Sequence, residues 1–229
     1  MVAGSPGPGR RAVRAAGGVL VLDAVQAAGR IPLDMSVPCA DYLILSSHKI
    51  GGPQGAGAIV AASDLMMPAP LIAGGGQEKG HRAGTENLAA IAGFGAAARE
   101  ALAGLAGMDA VRGRRDGIEE IVLSLVPDAE IFGKGAPRLP NTTFFAIPGL
   151  KAETAQIAFD LAGVALSAGS ACSSGKVGPS HVLKAMGRDG GQGALRVSIG
   201  AATTARDIEL FRTALAGIVS RRAGRSEAA

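Results

Sequence analysis

Four residues have types and settings that could carry out chemistry: Lys49, Asp23, Cys172 and Arg196. Lys49 closes the apolar run DYLILSSHK and follows a histidine. A lone lysine is ordinarily a solvated surface charge. At the rim of a buried sheet it is partly desolvated, which lowers its pKa and frees the amine to condense with a carbonyl. Asp23 ends an earlier apolar run, GVLVLD. A carboxylate against a pyridine nitrogen keeps that nitrogen protonated, so the ring can take up electrons released when a bond at a substrate α-carbon breaks. Asp23 alone could equally cap the turn that follows it.

Cys172 sits in SAGSACSSG, where Ser167, Gly169, Ser170, Ser173, Ser174 and Gly175 make a small, flexible carrier for a thiol. A thiol near its reference pKa of about 8.5 is mostly protonated at neutral pH, so a base or a substrate amine must help to deprotonate it. Cys39 precedes an apolar run with no comparable loop and reads as a structural cysteine. Arg196 lies inside the apolar run ALRVSIG. Its planar fork suits a substrate carboxylate, whereas a purely structural role requires a buried acid as partner. His81 and His181 read as surface or loop histidines without metal-ligand spacing to Cys172, and no metal is expected.

The elements that must position these residues follow from the apolar pattern. GVLVLDAVQ, DYLILSSHK and GAGAIVA read as continuous apolar strands, which suggests a parallel or mixed sheet covered on both faces and binding ligands beyond its strand ends. An Ala-rich helix is expected over about 88–105, connecting two domains, 1–105 and 106–229. The second domain reads as helix (108–126), strands (129–132 and 142–147), helix (152–162), a strand leading into the Cys172 loop, a short helix (180–186), the ALRVSIG strand and a closing helix (205 to about 221). The layout is α/β. Residues 1–9 are Gly/Pro-rich; residues 1–16 read as flexible, with 10–16 able to form the tail of a helix.

The chain has 229 residues, 48% hydrophobic and 18% charged, so it can bury a core, and with 3% aromatics that core must be aliphatic. The net charge of +4 gathers partly in Arg10, Arg11 and Arg14 and in Arg221, Arg222 and Arg225, which read as solvated termini. One Tyr and no Trp give no stacking platform, so nucleic acid is not an expected partner. Two cysteines suggest a reducing compartment. No stretch reaches the roughly 18 uncharged apolar residues of a membrane span. A cytoplasmic protein without a membrane partner is expected.

DAVQAAGRIPLD, SSHKIGGPQGAGA, GGGQEKGHRAGTEN, SAGSACSSG and ALRVSIG, in that order, resemble the motifs of cysteine desulfurases. These are class V aminotransferase-like enzymes of PLP fold type I, dependent on pyridoxal 5'-phosphate. The resemblance runs from about Gly18 to the last helix. It implies the C-terminal portion of the PLP-dependent transferase fold: a remnant of the large-domain mixed sheet plus a small α/β C-terminal domain. By that resemblance Lys49 carries the cofactor as a Schiff base, Asp23 pairs with the pyridine nitrogen, and Gln26 contacts the ring oxygen. Ser46 and His48 hold the phosphate. Thr85 reaches the phosphate of a partner subunit's cofactor, which implies a homodimer. Cys172 is the nucleophile that takes sulfur from L-cysteine as a persulfide, leaving L-alanine, and Arg196 binds the substrate carboxylate. The sulfur would pass to iron–sulfur cluster assembly or to another acceptor or scaffold protein.

The family also has a long stretch ahead of the ring-binding Asp, with a Gly-rich phosphate loop and its Thr, a His stacked on the ring and an Asn near the ring oxygen. The few residues before Asp23 offer no counterpart. Weaker cofactor binding is therefore expected, with a three-stranded large-domain sheet whose apolar surface and edges are uncovered. Three readings follow: a desulfurase acting in oligomers or with a separate N-terminal piece, a non-catalytic remnant that binds a sulfur acceptor or family partner, and a selenocysteine lyase or related β-lyase.

Overall fold

The computed structural model describes residues 8–36, 39–169, 181–188 and 193–226. Its contacts divide the chain into two compact units, Met1–Ala106 and Gly107–Ala229.

The first unit holds α1 (Pro8–Ala15), β1 (Val21–Asp23), β2 (Tyr42–Ser46), β3 (Gly57–Ala61) and α2 (Leu88–Ala103). β2 is the central strand, parallel to β1 and antiparallel to β3, so the sheet is mixed. Side chains alternate across it. One face, with Leu22, Leu43, Leu45 and Val60, packs on Ala24, Ala27, Met35, Cys39 and Ala40. On the other face Val21, Ile44 and Ile59 are exposed. The apolar runs suggest cover on both faces; among the described residues the connection between β1 and β2 folds back over one, while the other meets the segment after β3 at Tyr42, whose hydroxyl donates to the Met66 carbonyl.

Within the described residues Pro8–Ala15 is a helix, in keeping with the helical tail read for residues 10–16, and its Arg10 and Arg14 are paired to the sheet rather than solvated. Arg10 and Arg14, one turn apart, direct their Nη2 atoms to Asp41 Oδ1 at 2.9 and 2.5 Å, and the Leu20 amide donates to Asp41 Oδ2 at 2.8 Å. The Asp41 side chain is fully buried. Hydrogen bonds from Arg14 and the Leu20 amide, joined by Arg10, hold its carboxyl well below the usual carboxylate range against the opposing effect of burial. Arg11 is exposed, as a solvated terminus requires.

α2 begins where the Asn87 side chain accepts a hydrogen bond from the Ala90 amide at 3.1 Å, an N-cap that satisfies one of the free donors of the first turn. The run Leu88–Leu125, taken as one helix of 38 residues, is long and apolar enough by length and composition to cross a membrane. It comes closer to that limit than the sequence reading allowed. Arg99 and Glu100 lie within α2.

The second unit contains α3 (Met108–Leu125), β4 (Glu130–Ile131), β5 (Thr142–Ala146), α4 (Ala152–Leu161), β6 (Ser167–Ala168), α5 (His181–Ala185), β7 (Leu195–Ser198) and α6 (Ala205–Ser226). Its sheet runs β4-β5-β7-β6, antiparallel at every pairing. Phe145 and Leu195 share one face with Thr143 and Val197, all buried. That face meets Ile118, Ile121 and Val122 of α3, Phe159 of α4, and Phe211, Leu215 and Ile218 of α6. The rings of Phe159 and Phe211 stack with centroids 5.4 Å apart. α6 starts with a reciprocal cap: Thr204 N donates to Asp207 Oδ2 at 2.8 Å and Asp207 N donates to Thr204 Oγ1 at 3.3 Å.

Candidate active site

The parallel register of β1 and β2 pairs Asp23 with Ile44. Ser46 lies two residues beyond Ile44 on the same strand, so Asp23 and Ser46 belong to one face of the sheet, the one on which Ile44 and Ile59 are exposed. β2 then enters a 3-10 turn, Ser47–Lys49. In that turn the Ser46 hydroxyl and His48 Nδ1 are 3.0 Å apart, and His48 and Lys49 are exposed. Strand pairing thus gathers Asp23, Ser46, His48 and Lys49 at the carboxyl end of two adjacent strands, where sheets of this kind bind ligands.

Asp23 has the role in the following turn that the residues alone allowed: its Oδ1 accepts from the Val25 amide at 3.0 Å. Among the described residues its second oxygen is free for another partner. Lys49 does not meet the expectation of partial desolvation. It is exposed: among the described residues no segment of the first unit covers the face on which the strand ends open.

The turn carrying Lys49 is held by α2 and by its own backbone. The Ile50 and Gly52 amides both donate to the Ser47 carbonyl, at 3.1 and 3.0 Å, and the Ser47 amide donates to the Ala56 carbonyl at 3.1 Å. Ser47 is fully buried. A Cβ on Gly52 would meet Ser47 Oγ, and would lie 3.1 Å from the Cβ of Ala97 on α2. A Cβ on Gly93 would come within 2.5 Å of Pro53 Cγ. The small residues of the Ala-rich helix are therefore what lets the GGP segment after Lys49 seat against it.

The β1 side is fixed to the same helix. Gly29 has φ +71°, and a Cβ there would be 3.0 Å from the Ala101 Cβ and 3.7 Å from Ile50 Cγ2. The next residue, Arg30, donates from Nη1 to the Gln26 carbonyl at 2.9 Å and from Nη2 to the Lys49 carbonyl at 3.2 Å. Burial pulls the Arg30 guanidinium below its ordinary pKa. Gln26 itself is exposed.

Thr85 is exposed on a loop built by Arg82. Arg82 Nη1 donates to the carbonyls of Gly84, Ala83 and Thr85 at 2.6, 3.2 and 3.3 Å, while Nη2 reaches Glu78 Oε1 at 3.0 Å. Glu78 and Lys79 take left-handed backbone angles, with φ 48° and 58°. The loop runs into the α2 cap, and a Cβ on Gly55 would lie 3.8 Å from Asn87 Nδ2, which sets the end of RAGTEN beside the turn that follows Lys49.

In the second unit Arg196 stands on the sheet face opposite the helices, paired in register with Phe144 and Ser167. Its Nη2 donates to Ser167 Oγ at 3.2 Å, and its Nε is buried without a hydrogen-bond partner. The buried acid that a structural role requires is absent among the described residues. A guanidinium with a buried unused donor suits an anionic ligand. Cys172 lies outside the described residues, as do Ser170, Ser173, Ser174 and Gly175. Cys39 is partly buried, its Sγ 3.5 Å from the Asp34 carbonyl oxygen. Among the described residues no three His, Cys, Asp or Glu side chains gather as metal ligands do.

Sequence reasoning passed over Asp41, Arg30 and Arg82. Arg10 and Arg14 at helical spacing mark a face that could bind an acid, but they do not single out Asp41, which opens the second apolar run after them. The two carbonyl-binding arginines leave no such mark.

A mixed sheet with an acid and a lysine at adjacent strand ends, followed by a small antiparallel α/β unit, defines a class. The profile described as aminotransferase class-V matches residues 9–211, and the chain belongs to that family. It is 42% identical over 206 residues to a cysteine desulfurase of Cereibacter sphaeroides, covering 89% of this chain and 52% of the relative. It is 43% identical over 223 residues to a cysteine desulfurase of Frankia sp. (strain EuIK1), covering 94% and 52%. Among solved structures it resembles a NifS-like protein from Rickettsia africae ESF-5, with TM-score 0.81, 34% identity and coverage of 92% of this chain and 56% of that one. The chain spans about half the length of the curated relatives it matches. These homologues depend on pyridoxal phosphate.

Proposed function

We propose that this chain contributes to a pyridoxal-phosphate-dependent cysteine desulfurase, taking sulfur from L-cysteine and leaving L-alanine. The observation that carries the reading is the register that places Asp23 and Ser46 on one face of the sheet, with His48 and Lys49 in the turn that follows. These residues fit the cofactor by their chemistry: an exposed amine, a carboxylate with a free oxygen, and a hydroxyl beside an imidazole able to bind phosphate oxygens.

Bound there, pyridoxal phosphate supplies an electron sink for a bond broken at the substrate α-carbon. Lys49 holds the cofactor through its amine, and Asp23 keeps a proton on the ring nitrogen. Gln26 contacts the ring oxygen, while Ser46 and His48 donate to the phosphate. Arg196 binds the substrate carboxylate through its fork. Cys172, once deprotonated, would attack the substrate sulfur as the substrate Cβ–S bond breaks, its electron pair going to the carbon skeleton that leaves as L-alanine after protonation, and would retain the sulfur as a persulfide for an acceptor or scaffold protein of iron–sulfur assembly.

A homodimer belongs to the same proposal. Leu71 and Ile72, fully and largely exposed, directly precede the loop that carries Thr85. Exposed apolar side chains beside a loop assigned to a partner's phosphate support docking of a second copy. A reducing, cytoplasmic setting is proposed from the two cysteines alone. A second reading, a non-catalytic binding module, is favoured by the exposure of Asp23, His48 and Lys49 and of the sheet face around them.

Sulfide and alanine release from L-cysteine by the purified chain, with added pyridoxal phosphate and a thiol reductant to discharge the persulfide, tests the proposal. Release that vanishes in Cys172→Ser supports it. Release that survives the substitution counts against a persulfide route, and no release with cofactor bound favours the binding module. Comparison with selenocysteine as substrate separates the lyase alternative.

A further inference from the structure

We infer that Arg30 is a positioning residue that fixes the Lys49 turn against the Gln26 turn by binding both backbone carbonyls with one guanidinium. The inference rests on the cofactor reading above for its meaning, and on geometry for its substance. Lys49 and Gln26 belong to different connections, after β2 and after β1. Within the Lys49 turn, the Ile50 and Gly52 amides both go to the Ser47 carbonyl, so the turn's own backbone bonds pass over the Lys49 carbonyl. In the turn after β1 the Ala27 and Ala28 amides go to the Ala24 carbonyl, and the Arg30 and Ile31 amides to that of Ala27, which passes over Gln26. Arg30 donates to both leftover acceptors, at 2.9 and 3.2 Å.

Its root is fixed as well as its tip. Gly29, in the left-handed region, lies against Ala101 of α2 and close to the Ile50 side chain, so the main chain at Arg30 starts beside the residue that follows Lys49. A guanidinium presents donors on separate nitrogens in a rigid plane, whereas a lysine presents all its donors from one nitrogen. Arg30 can therefore hold two carbonyls at a set distance, and a lysine cannot reproduce that spacing. The span it sets lies between the main chain of the residue assigned to carry the cofactor and that of the residue assigned to its ring oxygen. Arg30 touches neither cofactor nor substrate in this role.

The test uses the full chain as wild type, Arg30→Met and Arg30→Lys. Two readouts are taken: amide hydrogen exchange of the cofactor-free protein over residues 24–31 and 47–52, and titration with pyridoxal phosphate followed by its visible absorbance. The expected result for Arg30→Met is faster exchange confined to those two segments, an unchanged circular-dichroism spectrum, and cofactor affinity lowered by about tenfold, the scale of a charge-assisted hydrogen bond. Arg30→Lys should recover only part of both effects. Unchanged exchange in Arg30→Met would overturn the clamp, as would full recovery by Arg30→Lys, which would assign the effect to charge rather than to the fork. If wild type binds no cofactor, the cofactor reading fails, and the exchange arm still decides whether Arg30 ties the two turns.

Discussion

Gly93 of α2 faces Pro53 so closely that a single added methyl group would stand 2.5 Å from the proline Cγ. Four residues before Pro53 the chain carries Lys49, so this contact seats the turn on which the proposed chemistry depends. Inside a helix, alanine ordinarily improves on glycine by about 1 kcal/mol. Gly93→Ala should do the reverse, lowering stability by about 1–3 kcal/mol through overpacking. Gly95→Ala is the control, because its Cβ would meet only Arg99 Nη1 at 3.9 Å. Thermal melts should show Gly93→Ala below wild type and Gly95→Ala at or above it; equal melts for the two variants would contradict the packing described.

Asp41 is buried between two arginines of α1, and its carboxyl titrates below the usual range, chiefly through Arg14. A carboxyl whose folded pKa is depressed contributes stability that is fully present above its unfolded pKa of about 3.9 and is lost as pH falls toward the folded value. Asp41→Asn should release α1, seen as faster amide exchange over residues 8–20. It should also remove part of the acid sensitivity of wild type below about pH 4. Identical acid denaturation profiles would show that the pairing contributes nothing.

In the second unit Glu119, nearly fully buried, takes Arg138 Nη1 and Nη2 on its two oxygens at 2.7 and 3.2 Å, with Arg115 Nε 3.8 Å away. Burial is the largest single effect and works against its ionised form, but the hydrogen bonding and positive charge around it, Arg138 first with Arg115 beside it, together hold the carboxyl below its ordinary pKa. Glu119→Ala leaves the partly buried Arg138 guanidinium without its partner, while Arg115 keeps Asp116, and should cost about 3 kcal/mol. Denaturant titration checks this. A loss much smaller than that would mean that solvent replaces the carboxylate.

Lys79 adopts φ 58°, a region that costs a residue with a Cβ about 1–2 kcal/mol. Lys79→Gly removes that cost and adds some chain entropy to the unfolded state, for a net gain of about 0.5–1 kcal/mol. A measured loss would indicate that the lysine side chain makes a contact that outweighs the backbone strain.

Much of this architecture could be read from apolar patterning. The runs ending at Asp23 and Ser46 are β1 and β2, the Ala-rich stretch is α2, and the helices and strands of the second unit fall within a few residues of the expected positions. Continuous apolar runs report what a strand could bury, not what covers it, so the open face with Ile44 and Ile59 and the exposure of Lys49 could not be read from them. Asp41 was hidden for a different reason. An acid at the start of an apolar run reads as a solvated boundary, and its partners are 27 and 31 residues away in sequence. Arg30 and Arg82 act on main-chain carbonyls, which every residue has, so no residue type in the sequence points to their targets.

Lys49 is proposed to hold pyridoxal phosphate at the open strand ends. Titrating the purified chain with the cofactor and recording the visible absorbance of the lysine-bound form, with borohydride trapping and peptide mapping, tests it most directly. A band in wild type, a trapped label on Lys49, and neither in Lys49→Ala are expected. A wild-type chain that shows no band at any cofactor concentration, or a Lys49→Ala variant that keeps it, would contradict the assignment.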